Sequence, residues 1–190
     1  MEKVCKEGVF NINDDKSVLE SIVASQTLVN KYNTYLVTDF KERTELIHQI
    51  LGEAKGFINM MPPVHFSNGY NTYCGENFQS NFNLTIFDAA KVTFGDNIMI
   101  GPNCGFYTSG HDMDPKRRRE GWNYCYPITV GNDVFFGAGT IVLSSKPGGI
   151  TIGDGAFIGA GSVVTGDIPA HCLAAGNPCK VIRMLEETEE

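Results

Sequence analysis

From about residue 70 onward, apolar side chains return every six residues. Counted in sixes, Phe82, Asp88, Phe94, Ile100 and Phe106, then Val130, Phe136 and Val142, form one mostly apolar row. A second row stands four positions after each: Ile86, Val92, Ile98, Cys104 and Gly110, then Val134 and Thr140. The pattern resumes as Ile152-Gly-Asp-Gly-Ala-Phe, Ile158-Gly-Ala-Gly-Ser-Val and Val164-Thr-Gly-Asp-Ile-Pro. A period of six is neither the two of a strand nor the 3.6 of a helix. It predicts a solenoid whose coils have short flat sides, with inward residues stacked on their equivalents in the next coil. Gly95, Gly101, Gly131 and Gly137 each follow a leading residue, where they are expected to permit tight turns.

Two stretches fall out of frame. Between Gly110 and Tyr124 the count would place Asp112 and Arg118 inside, and unpartnered charges in an apolar interior are too costly to keep. Residues 112–123 are therefore expected to loop outward, with the frame resuming at Tyr124 and Ile128. Between Val142 and Ile152 the step is ten residues instead of six, so a second loop over 143–149 bulges from a corner. Long loops on a rigid scaffold tend to carry function.

Residues 1–60 read as a helical cap. Ser17-x-x-Glu20 has the form of a capping box, followed by Val18, Leu19, Ile22, Val23, Leu28 and Val29 at helical spacing. A second helix is expected from about Asp39, with Phe40, Leu46, Ile47, Ile50 and Leu51 on one face and Gly52 or Gly56 as its stop. Neither helix can bury its apolar side alone, so both are expected to pack on the repeats. The repeats then occupy 61–183, and 184–190 form a short acidic extension.

The chain's 190 residues suffice for one domain with a small appended piece. A hydrophobic content of 42% with 19% charged residues suits a soluble globular chain. No apolar run has the length of a membrane span, and the first residues lack the apolar core of a signal peptide. Six scattered cysteines with no C-x-x-C pair read as reduced thiols, so a cytoplasmic location is expected. A net charge of −7 disfavours nucleic acid as a partner. The basic run Lys116–Arg119 is the local exception, and it reads as a solvated loop.

Histidine suits the removal of a proton from an alcohol, because its reference pKa of about 6.5 lies near working pH. His48 falls on the second helix, His65 precedes the regular repeats and His171 lies in a late turn. His111 alone stands at the mouth of the expelled loop.

Several segments together resemble the hexapeptide-repeat acyltransferases, and within them the maltose and galactoside O-acetyltransferases. They are Asn77-Phe-x-x-Asn-Phe-Asn-Leu-Thr85, Phe94-Gly-Asp-Asn-x-x-Ile-Gly-Pro-Asn103, Gly110-His111, Pro127-Ile-Thr-Val-Gly131, Ile158-Gly-Ala-Gly-Ser-Val-Val164 and Ala174-Ala-Gly-Asn-Pro-Cys-Lys-Val-Ile-Arg183. The resemblance covers nearly the whole chain, helical front end included. It implies a mainly β fold, a left-handed parallel β-helix with an N-terminal α-helical cap. It also implies a homotrimer with active sites between subunits, using acetyl-CoA as co-substrate and no metal. Acetyl would pass directly to a hydroxyl of a sugar in a ternary complex, with His111 as general base. By the same resemblance Asn81 supports the oxyanion or holds the acceptor, and Ser67 and Asp14 contact the acceptor. Backbone groups at Ala138 and Ala160 would bind pantetheine, and Thr165, Lys180 and Arg183 would approach the phosphates. The chain departs from the family at Ala89, where relatives carry an acidic acceptor contact, and at Gly166, where they often carry lysine. Lys180 replaces a more usual arginine and offers a point charge rather than a fork. Two other readings stay open: a xenobiotic O-acetyltransferase using the same histidine, and a non-catalytic binding solenoid. A γ-type carbonic anhydrase needs three histidines on zinc, whereas His111 and His171 stand 60 residues apart in different frames and His65 precedes the regular repeats.

Overall fold

The computed structural model describes residues 8–13, 17–36 and 38–186. Cys5, Asp14, the end of the acidic extension and the side chains of Ser17, Val18 and Leu19 lie outside what it describes. Three parallel sheets form the sides of a solenoid of about six coils. The first side holds Glu53–Ala54, Thr72–Cys74, Val92–Phe94, Ile128–Val130 and Ile150–Ile152. The second holds Ile58–Met60, Phe78–Ser80, Met99–Ile100, Phe135–Phe136, Phe157–Ile158 and Cys172–Ala175. The third holds Val64–Phe66, Leu84–Phe87, Gly105–Tyr107, Ile141–Leu143 and Val163–Val164. Each short strand turns alternate residues inward, and the inward rows stack from coil to coil. Phe78, Phe94, Phe106 and Phe136 run through the centre edge to face, with successive ring centroids 5.1 Å apart, the geometry aromatic quadrupoles favour.

The register of these ladders shows where the coils differ in length. Residue n first pairs with n + 20, as in Val64 with Leu84 and Thr72 with Val92. It then pairs with n + 36, as in Val92 with Ile128, and next with n + 22, as in Ile128 with Ile150. Every excess over three six-residue sides leaves at one place, the corner where the third side gives way to the first. We call this the closing corner, and the one between the second and third sides the middle corner. The closing corner carries 67–71, 87–91, 108–126 and 144–149 in successive coils.

This single-corner rule corrects the six-residue count ahead of Val92. Two extra residues within 87–91 shift the frame, so the inward pairs there are Phe78 with Ser80 and Leu84 with Ile86. Phe82 falls at the middle corner and is 46% exposed. Asp88 leaves the row and enters the closing corner.

The glycines have a different role from the one expected. Gly95, Gly101, Gly131 and Gly137 are not among the positive-φ residues. A Cβ at Gly101 would stand 2.7 Å from the Ala138 nitrogen, and one at Gly137 would stand 2.4 Å from that of Ala160. They are glycine because the next coil passes too close for any side chain. The left-handed turn residue comes two positions later, at Asn97, Asn103, Asp133 and Gly139. Asn97 Nδ2 donates to Asp133 Oδ1 at 2.9 Å and Asn83 Nδ2 to Asn103 Oδ1 at 2.9 Å, so turns in adjacent coils are tied together.

The first coil exposes strand edges that need cover, and two helices supply it: α1 (Ser17–Tyr32) and α2 (Phe40–Ile50). Asn33, just beyond α1, completes the edge strand Val64–Phe66. Its Oδ1 accepts from the Val64 N–H and its Nδ2 donates to the Val64 carbonyl, both at 2.8 Å. Arg43 of α2 is 3% exposed and donates to Asn59 Oδ1 at 3.0 Å and to the Met60 carbonyl, which also accepts from the Tyr32 hydroxyl. Leu46, Ile47, Ile50 and Leu51 face the core as expected, whereas Phe40 is 56% exposed, with the Arg43 guanidinium 5.7 Å from its ring. The cap also ends earlier than residue 60. Glu53–Ala54 and Ile58–Met60 already pair with the next coil, since only two residues separate α2 from the first solenoid strand. At the far end, Lys180–Met184 folds back antiparallel on Cys172–Ala175. Among the described residues no helix is long and apolar enough to cross a membrane.

Asn33→Ala strips both bonds from the Val64 edge and is expected to cost about 1–3 kcal/mol of unfolding free energy. Urea titration followed by circular dichroism measures it. An unchanged midpoint would mean that water serves that edge equally well.

Candidate active site

The region expected to loop outward over 112–123 is an arm built of strands and a short helix that starts at residue 109. Ser109–His111 pairs antiparallel with Trp122–Cys125, which pairs in turn with Gly8–Asn11. Tyr124 therefore belongs to the arm, and the inward row resumes at Ile128. A short helix, α3 (Pro115–Arg119), forms the tip, with Asp114 as its N-cap. The Asp114 carboxylate accepts from the backbone of Lys116 at 2.7 Å and Arg117 at 3.1 Å. Arg117 pairs with Asp112 at 2.6 Å and lies 4.7 Å from the Trp122 ring centroid, holding the Asp112 carboxyl below the usual carboxylate range. Arg118 donates to the Asp112 carbonyl at 3.0 Å. Two of the four basic residues thus fold the turn that follows His111.

His111 projects from this arm as an exposed side chain. Gly110 precedes it for a steric reason, since a Cβ there would stand 2.3 Å from the Tyr124 hydroxyl oxygen. Tyr124 and Tyr126 stack with centroids 5.9 Å apart and planes 21° from parallel. Together with Val9, Met113 and Ser145 they border a hollow of about 210 Å³ that holds His111.

Beneath the arm the closing corner holds a buried polar network. Asp88 Oδ1 accepts from the Asn68 N–H at 2.8 Å, and its Oδ2 accepts from the Thr72 hydroxyl at 3.0 Å. The side-chain amides of Asn68 and Asn71 both donate to the Asp88 carbonyl, at 2.9 and 2.8 Å. One coil up, Thr108 accepts from the Ala90 N–H at 2.9 Å and donates to the Phe87 carbonyl at 2.8 Å. Ser67 opens the lowest of these turns, 8% exposed, its N–H bonded to the Ile86 carbonyl. A ladder of polar groups thus runs from the turn holding Ser67 to the root of the strand holding His111. Burial pushes the Asp88 carboxyl up to about 6, against the opposing pull of its donors.

A second column stands at the middle corner. Asn81 precedes Ala138 there by two coils, with Gly101 and Pro102 in the coil between, and Ala160 follows Ala138 in the next, all three exposed. Asn81 Oδ1 accepts from the Phe82 N–H at 2.9 Å, leaving its Nδ2 without a protein partner among the described residues. It takes no part in the Asn83–Asn103 ladder beside it. The Ala138 carbonyl accepts from Gly161, while the N–H groups of Ala138 and Ala160 are bonded to no protein acceptor among the described residues. Lys180 pairs with Ala175 at the end of the same column, and Arg183 pairs with Leu173 further along the second side.

The expected site residues therefore fall into two groups within one chain. Ser67, His111 and Thr165 follow third-side strands at the closing corner. Asn81, Ala138, Ala160 and Lys180 lie at the middle corner, and Asn81 lines a different hollow, of about 300 Å³, with Gln79, Met99 and Phe135. Asp14 is outside the described residues. The sequence reading missed Val9, the Tyr124–Tyr126 stack and the Asp88 network. The alternation of Tyr124 and Tyr126 and a carboxylate within an apolar row were the available signals. His65 faces outward from the third side and His171 sits at the corner between the first and second. Among the described residues, no three His, Cys, Asp or Glu side chains gather where they could hold a metal.

A repeating six-residue solenoid with a histidine-bearing arm defines the class, and comparisons agree. Residues 127–166 match the family described as the hexapeptide repeat of succinyl-transferase. The galactoside O-acetyltransferase of Escherichia coli K12 is 40% identical over 171 residues, covering 90% of this chain and 82% of its own. A maltose O-acetyltransferase from Clostridium difficile 630 superposes with a TM-score of 0.89 at 37% identity, covering 95% and 93% of the two chains. A galactoside acetyltransferase in complex with coenzyme A gives 0.88 at 38% identity, covering 94% and 87%. This chain belongs to the hexapeptide-repeat acetyltransferases. It is an acetyl-CoA-dependent O-acetyltransferase.

The Asp88 carboxyl yields a prediction whose sign can be worked out. Its folded value of about 6 lies above the unfolded value of about 3.8, so folding favours the protonated form. That contribution is complete below about pH 4 and is lost as pH rises through 6. Asp88→Asn is expected to gain on the wild type by roughly 2–3 kcal/mol between pH 4 and pH 7, read from urea unfolding at both. Parallel stability profiles would contradict it.

Proposed function

We propose that this enzyme moves acetyl from acetyl-CoA to a hydroxyl of a sugar or sugar-like acceptor, within a homotrimer whose active sites lie between subunits. One observation carries the reading: His111 and Asn81 belong to columns on opposite edges of the same side. Six residues from Asn81 to Phe87, at about 3.3 Å each, put those edges roughly 20 Å apart. One chain alone thus offers a base at one corner and free N–H donors at another. A neighbouring copy that sets its middle corner against this closing corner would unite them. The names of the similar enzymes support the acceptor class.

In this arrangement His111 accepts the proton of the acceptor hydroxyl as its oxygen attacks the thioester carbonyl. Oxyanion charge develops on that carbonyl oxygen, where the unpaired Asn81 amide can donate to it. When the tetrahedral species collapses the carbon–sulfur bond breaks, and the imidazolium returns its proton to the departing thiolate. The Ala138 and Ala160 N–H groups suit the amide carbonyls of pantetheine. The ridge they stand on carries no side chain larger than a methyl beside them, because Gly101 and Gly137 admit none. Lys180 ends the same ridge and suits phosphate.

His111→Ala is expected to lower kcat by about 10²–10⁴-fold while leaving the melting temperature nearly unchanged, because the side chain is exposed. Thiol release from acetyl-CoA with a glucoside or galactoside acceptor measures it. Retained turnover would remove His111 from the chemistry.

A further inference from the structure

The insertion within 143–149 is a departure from the repeat that the reaction above leaves unused, and it is pinned at three points. At its start Ser144 is 2% exposed. Its N–H donates to the Tyr107 carbonyl at 2.9 Å and its hydroxyl to the Pro127 carbonyl at 2.8 Å. At its end Gly149 has φ +78°, and a Cβ there would stand 2.3 Å from the Pro127 oxygen, so the returning chain lies directly on Pro127. In between, Lys146 Nζ reaches Asp167 Oδ2 at 2.6 Å, while Asp167 Oδ1 accepts from the Thr151 N–H at 2.9 Å. The Lys146 carbonyl also accepts from the Gly149 N–H at 3.0 Å, which closes the loop on itself.

Between the first two pins stands Ser145. It is exposed, and it borders the same hollow as His111, Tyr124 and Tyr126. Much of that wall is apolar or aromatic, from Val9, Met113 and the two tyrosine rings. The insertion thus brings a hydroxyl, able to donate and to accept, to the pocket in which the base works.

We propose that Ser145, carried on the clamped insertion, is an acceptor-selecting residue that hydrogen-bonds a hydroxyl next to the one acetylated. The favoured acceptors are then polyhydroxylated, with adjacent hydroxyl groups, in preference to molecules bearing a single alcohol. This rests on the reading of His111 as the general base. Lys146 and Asp167 act as positioning residues that hold Ser145 at the pocket wall. A half-exposed ion pair adds little to global stability, so its effect should appear in selectivity and not in the melting temperature.

The test measures kcat/KM for methyl galactoside and for cyclohexylmethanol, whose single hydroxyl offers Ser145 no partner. Ser145→Ala should lower the ratio of the two constants by about 3–10-fold, the worth of one neutral hydrogen bond. Lys146→Ala should lower the same ratio at unchanged melting temperature, and Lys146→Arg should restore it. A ratio unchanged in Ser145→Ala, with His111→Ala inactive on both acceptors, would overturn this proposal alone. Full activity of His111→Ala would overturn the reading beneath it as well.

Discussion

The parallel ladders of the solenoid impose one constraint on which the rest depends. Inward rows stack residue on residue, and a slip of one position would turn every inward side chain outward. Extra residues therefore cannot be absorbed within a side and must leave at a corner. In this chain they all leave at the same corner, and each departure brings something there. The first carries Ser67, the second the buried Asp88, the third the arm with His111, and the fourth Ser145. The rigid part of the molecule thereby aligns segments that lie far apart in sequence.

Where successive coils approach closely, the repeat was legible from the sequence alone. Phe94, Ile100, Phe106, Val130, Phe136 and Val142 are all inward, as their spacing requires. Phe82 was misread because the six-residue count runs smoothly through a two-residue excess that only the ladder register exposes. The glycines were correctly located but misinterpreted, since their reason lies in the neighbouring coil and not in their own backbone. Expulsion of Asp112 and Arg118 followed from charge burial. That the expelled piece would be an ordered arm did not, because one of its strands, Gly8–Asn11, comes from more than a hundred residues away. Arg43 was equally hidden, since a basic residue on a short helix ordinarily faces water and here it closes the seam between cap and first coil.

The sequence nominates the residues of the candidate site one by one but does not reveal their arrangement. His111 stood out by its place at the break in the repeat, and Asn81, Ala138 and Ala160 by resemblance. Nothing in their spacing reveals that base and donors occupy opposite edges of one side. Under the proposed function, that separation would give the chain a reason to assemble, each subunit supplying half of the reaction centre. The Asp88 network fits the same logic. It ties the turn of Ser67 to the root of the His111 strand in one buried, hydrogen-bonded block beneath the exposed histidine.

Complementation between two inactive variants tests the shared site most directly. His111→Ala subunits retain an intact Asn81, and Asn81→Ala subunits retain an intact His111. Refolded together in equal amounts, they should assemble at random and recover about a quarter of the wild-type rate, the share of interfaces holding both intact residues. A mixture no more active than its two parents would place both residues in one subunit and contradict the account.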